Sequence, residues 1–191
     1  MKAVAFNASV RKGGNTLVMI KAALAPLEAA GIETEIIELG QKTLQGCIAC
    51  YKCFERADNT CALINDPMNE YIAKMLEADA IILGSPTYFA DVTTNMKSLI
   101  DRCGMTMRAN GSPLTRKIGA GVAVARRAGA MRVMDSINQF FFISGMIVPG
   151  STYWNVGYGL KAGDVEQDIE GLETMKGIGE NIAWLLEKTV D

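Results

Sequence analysis

Four cysteines lie close together in the segment GCIACYKCFERADNTC. Two residues separate Cys47 from Cys50 and Cys50 from Cys53, and seven residues separate Cys53 from Cys61. Iron–sulfur clusters are held by four cysteine thiolates, often in compact runs of this kind. The spacing therefore predicts that these four thiols are the ligands of one inorganic redox centre.

Other uses of the four thiols stay open at this point. Zinc also accepts four thiolates, but structural zinc sites usually combine two C-x-x-C pairs that are far apart in the chain. The thiols could instead be free and redox-active, or oxidised to disulfides. The fifth cysteine, Cys103, falls on the apolar face of a predicted helix, and we expect it to be a buried core thiol.

A polar loop, ASVRKGGNT, follows the first predicted strand and runs into a predicted helix. The free N–H groups and the dipole at a helix N-terminus favour an anion. The loop adds hydroxyl and amide donors, two cations and a flexible Gly13–Gly14 pair, and it matches neither the P-loop nor G-x-G-x-x-G. The alternative is an ordinary polar turn in which Asn15 or Thr16 caps the helix. The predicted phosphate-binding residues are Ser9, Arg11, Lys12, Gly14, Asn15 and Thr16.

A second loop, SPTYFADVTT, follows the third predicted strand and carries two aromatic side chains. Proline stiffens this turn, and neighbouring backbone amides and aromatic faces suit a planar ligand. The alternative is that the aromatics only cap the core. A phosphate site beside an aromatic surface fits FMN, and Pro86, Thr87, Tyr88 and Phe89 are the candidate contacts on this loop. Arg126, after the fourth strand, is a further candidate contact that could equally be solvated.

Alternating apolar runs and helical repeats must position these loops. Runs at residues 2–7, 33–39, 80–84, 118–125 and 146–148 predict five strands, with Ile36 and Ile37 buried in the second. The pattern indicates an α/β fold, a flavodoxin-like three-layer α/β/α sandwich with a five-stranded parallel sheet of order 2-1-3-4-5. Residues 1–191 are predicted to form a single domain with a cysteine-rich loop at 46–62. Ligands of such sheets bind beyond the carboxyl ends of strands one and three. We expect the ends of the cysteine loop at the same edge, where a cluster could exchange electrons with the flavin ring.

Composition removes several classes of function. The net charge of −2 shows no basic patch for nucleic acid and no membrane-binding segment, and no leader is visible, so we expect a cytoplasmic protein. The chain has no histidine, which excludes the usual general base and every Ser-His-Asp or Cys-His arrangement. The chemistry is therefore expected to come from a cofactor, with no catalytic side chain assigned.

The chain resembles the NADPH-dependent FMN reductase superfamily and, within it, the iron–sulfur flavoproteins. The resemblance is carried by NASVRKGGNT, the cysteine run, ILGSPTYFADVTTNMKSLIDR and VAVARRAGA. It implies noncovalent FMN, with Pro86, Thr87, Tyr88 and Phe89 along its ribityl chain and ring. It also implies a [4Fe–4S] cluster on Cys47, Cys50, Cys53 and Cys61, and homodimers or homotetramers. Many relatives have a glycine and a proline where this chain has Ala8 and Val10.

Together these features predict an FMN-dependent NAD(P)H oxidoreductase. The flavin accepts hydride from NAD(P)H and passes electrons to a small-molecule or protein acceptor, and a ferredoxin is a candidate partner. The alternative is a flavodoxin-like electron carrier without substrate turnover. Flavodoxins tend to be markedly acidic, whereas this chain is nearly neutral, which favours the enzyme. The sequence does not distinguish NADPH from NADH.

Overall fold

The structure is a computed structural model that describes residues 1–189. Within these residues the chain forms five strands and six α-helices, with one helix after each strand except the second, which two helices follow. A short 3₁₀ helix, Asp164–Gln167, precedes the last α-helix. The strands are β1 Lys2–Asn7, β2 Glu33–Glu38, β3 Ala80–Pro86, β4 Ile118–Ala125 and β5 Val156–Tyr158. The helices are α1 Asn15–Ala29, α2 Lys52–Arg56, α3 Met68–Glu77, α4 Thr94–Ala109, α5 Ala130–Ile143 and α6 Ile169–Thr189.

All five strands form one parallel sheet of order β2-β1-β3-β4-β5, which confirms the predicted topology. The strand β2 lies on one side of β1, and all later strands are added on the other side, beginning with β3. The loops that follow these two strands therefore meet at the carboxyl edge of the sheet.

Two hydrophobic cores cover the two faces of the sheet. On one face α1 and α6 pack against each other and against alternate residues of β1, β3 and β4, with Ile20, Leu24 and Ile182 fully buried. On the other face the core is formed by α3, α4 and α5, and Cys103 is buried in it as predicted. No helix within the described chain is long and apolar enough to cross a membrane.

The prediction for the fifth strand was wrong. Residues 146–148 make only one isolated bridge, between Ile147 and Ile118, and β5 lies at Val156–Tyr158. Pro149 and Gly150 end the apolar run, because proline lacks the N–H that would continue the ladder. The chain then bends away and returns to pair with the last residues of β4.

Other differences are smaller. Ile36 and Ile37 are half-buried rather than buried, because β2 is an edge strand with one free side. β3 extends to Pro86, two residues beyond the predicted end. The short helix α2 lies inside the cysteine-rich loop at 46–62, which we call the cysteine segment. It carries Cys53 on its buried side.

Candidate functional site

An open cleft of about 200 Å³ lies at the carboxyl edge of the sheet. The loops after β1, β3, β4 and β5 surround it. The structure brings together most of the side chains predicted to contact FMN, which line the cleft as Ser9, Arg11, Asn15, Thr16, Pro86, Thr87, Tyr88 and Arg126. Lys12, Gly14 and Phe89, which were predicted with them, are not among the lining residues.

The N-terminus of α1 is open toward an anion. Gly14 is its N-cap, no side chain in the described structure caps it, and its first turn carries no acidic residue. The alternative in which Asn15 or Thr16 caps the helix is therefore not observed. A Cβ at Gly14 would lie only 3.1 Å from the Ser9 hydroxyl and from the Arg11 backbone oxygen, so glycine keeps this turn tight.

Asn15 ties the first turn of α1 to the loop that follows β5. Its amide donates to the backbone oxygen of Lys161 at 2.9 Å and accepts from the backbone N–H of Gly163 at 2.9 Å. Arg11 also donates to this loop, at the backbone oxygen of Leu160. The side chains of Asn15 and Arg11 thus position the site rather than point freely at a ligand.

The sequence interpretation missed the β5 side of the cleft. Val124, Gly159 and Leu160 line it, and none of them was predicted. The Asp164 carboxylate holds this loop by accepting from the backbone N–H groups of Leu160 and Lys161, and those hydrogen bonds lower the pKa of Asp164. The misplaced fifth strand explains the omission, since it put this loop several residues too early.

The loop after β3 forms a tight turn at the cleft. Tyr88 and Asp91 pair as an antiparallel bridge, and both residues between them have positive φ, 49° at Phe89 and 60° at Ala90. Such a conformation is strained for non-glycine residues. The turn directs Phe89 fully into solvent, whereas Tyr88 faces the cleft.

Thr87 carries a buried polar atom that fits a bound ligand. Its hydroxyl oxygen has no hydrogen-bond partner in the described structure, although the residue lines the cleft. An unpaired buried hydroxyl is costly, and a ligand group that bonds to it would remove that cost. With the open helix N-terminus and the positive charges of Arg11 and Arg126, the cleft fits a phosphorylated ligand with a polar chain, as FMN is.

The four predicted cluster ligands line a second, separate pocket, which we call the cysteine pocket. It is formed by the cysteine segment and one side of α4, including Arg102 and Met105. Cys47 and Cys50 are exposed, Cys61 is half-buried, and Cys53 is buried, which raises the pKa of its thiol. The pocket volume is only about 20 Å³. A space of that size has room for a single water molecule.

The cysteine segment has an unusual backbone. The φ angles are positive at Ala49, Tyr51, Ala57 and Asn59, with values of 49°, 56°, 47° and 60°. Non-glycine residues rarely occupy this region. Outliers of this kind persist where the surrounding structure enforces them and cluster at functional sites. The segment is thus held in one defined conformation around the four thiols.

A buried ion pair lies behind the cysteine pocket. The Arg102 side chain is 0% exposed and pairs with Asp66, whose side chain is 6% exposed. Burial alone would raise the pKa of Asp66, but the hydrogen bond from Arg102 and two backbone N–H groups lower it below its usual range. The Arg102 Nε atom also donates to the Cys61 sulfur at 3.3 Å.

No three His, Cys, Asp or Glu side chains within residues 1–189 are close enough together to hold a single metal ion. The cysteines of a [4Fe–4S] cluster bind at separate irons, so they need to surround one pocket rather than converge on one point. Four thiols around a mostly apolar pocket, with one buried cation behind them, fit that donor set. A [4Fe–4S] cluster has eight atoms, which is more than a volume of about 20 Å³ holds.

The cysteine pocket lies partway along α4, whereas the ends of the cysteine loop were expected at the flavin edge, with a cluster held there. The start of this connection lies at that edge, where Gly40 contacts the Ser9 backbone. The pocket lies against residues 102–106 of α4, whereas the helix begins at Thr94 beside the cleft edge. The rise of an α-helix puts Arg102 roughly 12 Å along the axis from Thr94. The two sites share no lining residue.

Comparison with known proteins gives a consistent set of relatives. The family model described as NADPH-dependent FMN reductase matches residues 1–161. The chain is 40% identical over 190 residues to an iron–sulfur flavoprotein of Methanocaldococcus jannaschii, with 96% of each chain covered. It is 32% identical over 189 residues to an iron–sulfur flavoprotein of Methanosarcina thermophila, covering 98% of this chain and 96% of the relative.

Solved structures share the fold at low sequence identity. RosB, bound to 8-demethyl-8-formylriboflavin-5′-phosphate, superimposes with a TM-score of 0.76 at 20% identity, covering 99% of this chain and 81% of RosB. A flavodoxin from the domain Archaea gives a TM-score of 0.62 at 20% identity, covering 98% of this chain and 99% of the flavodoxin. These similarities confirm the flavodoxin-like fold.

Proposed function

The chain belongs to the NADPH-dependent FMN reductase family, whose members are FMN-binding, NAD(P)H-dependent oxidoreductases, and on that basis we propose how its two sites divide the work. The cleft at the carboxyl edge binds FMN and admits NAD(P)H. The cysteine pocket holds a [4Fe–4S] cluster through Cys47, Cys50, Cys53 and Cys61, as the names of the iron–sulfur flavoprotein relatives suggest. Electrons leave the protein to a small-molecule or protein acceptor.

The observation that carries this proposal is the convergence of independent loops on one cleft. Residues 9–16 supply an uncapped helix N-terminus for the phosphate, and residues 86–88 supply an unpaired hydroxyl and an aromatic ring. Lys12 and Gly14 belong to the same phosphate-binding loop, although they do not line the cleft. Bound FMN supplies two-electron acceptance from the nicotinamide and one-electron release, so the chain needs no histidine base.

The protein's own residues have positioning and electrostatic roles. The helix N-terminus neutralises phosphate charge, and the Asn15 amide fixes the β5 loop across the cleft. Arg126 provides positive charge beside the cleft, where it would stabilise an anionic reduced flavin or a nicotinamide dinucleotide phosphate.

The exposed half of the cysteine segment is the proposed exit surface. Cys47, Cys50 and Tyr51 are exposed, and the pocket shares no lining residue with the FMN cleft. A redox centre there meets an external partner more readily than one inside the cleft. A ferredoxin is one candidate partner of this kind.

One anaerobic preparation tests the assignment. We expect about one FMN and about four iron and four sulfide per chain after reconstitution, with absorbance that bleaches on dithionite addition. Cys61→Ser should abolish stoichiometric iron and leave FMN bound, while Cys103→Ser, a change in the buried core, should leave iron unchanged. Wild-type protein that binds FMN but no iron would contradict the proposed cluster and would still be consistent with the proposed flavin enzyme.

Stopped-flow reduction separates the enzyme from a pure electron carrier. Rapid reduction of bound FMN by NADPH or NADH supports the enzyme and identifies the preferred donor. Failure with both nucleotides, combined with rapid reduction by a ferredoxin, would support the carrier. The homodimer or homotetramer and the cytoplasmic location remain predictions, which sedimentation and cell fractionation would test.

A further inference from the structure

The side chain of Arg102 connects the helix α4 to the chain on both sides of the cysteine segment and to one of its thiols. Its Nη1 atom donates to the Gln45 backbone oxygen at 3.1 Å, before the first cysteine, and its Nη2 atom donates to the Leu63 backbone oxygen at 2.8 Å, after the last. Its Nε atom donates to the Cys61 sulfur. One guanidinium therefore holds both ends of the segment and one of its thiols.

The placement of this cation is unusual for a helix in an apolar layer. Arg102 lies next to Cys103, which is buried in the core, and its own side chain is entirely shielded from solvent. A fully buried arginine costs free energy unless it is paired and hydrogen-bonded. Asp66 supplies the pairing, and the segment's carbonyl groups and sulfur accept the remaining donors.

We propose that Arg102 is a positioning and tuning residue for the cluster, fixing Cys61 as its fourth ligand and raising its reduction potential. This inference rests on the proposed function of the cysteine pocket. Reduction adds negative charge to the cluster and its thiolates. A buried cation and a hydrogen bond to a ligating sulfur both stabilise that reduced form.

Because Arg102 and Asp66 carry opposite charges, removing each one should shift the midpoint potential of the cluster in the opposite direction. Removing the Arg102 cation should lower the midpoint potential, whereas removing the Asp66 anion should raise it. A purely structural role for the pair would not produce shifts of opposite sign, because both substitutions break the same ion pair.

The experiment is a mediated anaerobic redox titration, followed by EPR, of reconstituted wild-type, R102Q, R102K, D66N and D66N/R102Q proteins. The double variant removes both charges, so it leaves no unpaired buried ion if R102Q alone unfolds. Arg108→Gln is the matched control, since Arg108 lies on the same helix and is exposed. Iron, sulfide and FMN per chain and the Tm are measured in parallel.

We expect the ratio of reduced to oxidised cluster at a fixed potential to fall about tenfold in R102Q, which is about 59 mV for a one-electron couple. This ratio should be lower by a similar factor in the D66N/R102Q double variant than in D66N. D66N should shift upward, R102K should shift less than R102Q because it keeps the charge but loses the planar fork, and R108Q should not shift.

Each other outcome is also decisive. Loss of iron from both R102Q and the double variant, with FMN retained and the double variant still folded, supports the role of Arg102 in positioning Cys61. Full iron with potentials unchanged overturns the inference, and so does joint loss of FMN, Tm and iron in both variants. Wild-type protein that takes up no iron contradicts the proposed cluster itself, which is a separate failure.

Discussion

The side-chain amide of Asn15 lies 2.9 Å from the backbone oxygen of Lys161, and this hydrogen bond joins the first turn of α1 to the loop after β5. The two residues are far apart in sequence, yet Asn15 lines the cleft and Lys161 directly follows the lining residue Leu160. The N-terminal end of α1, where we propose that phosphate binds, is therefore held in place by the loop after the edge strand β5.

Asn15→Ala removes both hydrogen bonds to the β5 loop, and we expect it to weaken FMN binding. A hydrogen bond contributes about 1 kcal/mol, so the Kd should rise about fivefold or more, measured by quenching of flavin fluorescence. Asn181→Ala is a matched control, because it removes an amide-to-carbonyl hydrogen bond, to Gly150, at an exposed position of α6. Equal weakening by both variants would contradict a specific role for Asn15.

Thr87→Val should have opposite effects on affinity and on stability. The Thr87 hydroxyl has no partner in the described structure, so valine should leave the unfolding free energy of the FMN-free protein unchanged or slightly higher. The Kd for FMN should rise about fivefold, because the ligand loses a donor or acceptor. Urea unfolding and fluorescence titration measure the two effects. Thr34→Val, at a position away from the cleft, should leave the Kd unchanged.

Tyr88 and Phe89 should differ in their contribution to FMN binding. Tyr88 lines the cleft, whereas Phe89 lies fully in solvent at the tip of the strained turn. We expect Tyr88→Ala to raise the Kd about tenfold and Phe89→Ala to change it less than about twofold. A large loss of affinity in Phe89→Ala, seen in the same fluorescence titration, would restore the original expectation that both rings contact the flavin.

Asp66→Asn should destabilise the protein far more than the same change at an exposed ion pair. Asp66 is buried with Arg102, whereas Asp101 of α4 forms an exposed pair with Lys97. Breaking the buried pair should lower the free energy of unfolding by about 3 kcal/mol at neutral pH. Asp101→Asn should change it by only a few tenths of that amount, because exposed pairs are screened by solvent. Urea unfolding measures both.

The Asp66 effect should also depend on pH. The pKa of Asp66 is lower in the folded protein than its ordinary value of 3.8. Its stabilisation is therefore fully present above that value and is lost as the pH falls through the folded pKa. The difference between wild type and Asp66→Asn should be constant from about pH 7 to about pH 5 and shrink below about pH 4. A difference that stays constant down to about pH 3 would show that the pKa of Asp66 is not lowered by Arg102.

The regular parts of this fold are readable from the sequence because their signals are local. β1 and β4 begin and end where their apolar runs do, and the order of βα units determines the sheet topology. β5 was misplaced because it is three residues long, while the more apolar run around Ile147 stops at Pro149. The loop at Gly159 and Leu160 was lost with it.

The sequence predicted the chemistry of the cysteine segment but not its conformation or its position against α4. The spacing of the four thiols predicted a shared site, and all four line one pocket. Its position along α4, and the positive φ values that shape it, depend on long-range contacts such as those of Arg102. The sequence did carry one signal for these contacts: Arg102 stands next to Cys103 on the apolar side of a predicted helix, and a charged residue there needs a buried partner.

The most direct test of the account is a crystal structure of the protein with FMN bound. We expect the phosphate at the backbone N–H groups of Asn15 and Thr16, with Thr87 and Tyr88 contacting the rest of the molecule. FMN bound at the amino edge of the sheet, or a protein that folds yet does not retain FMN, would contradict it.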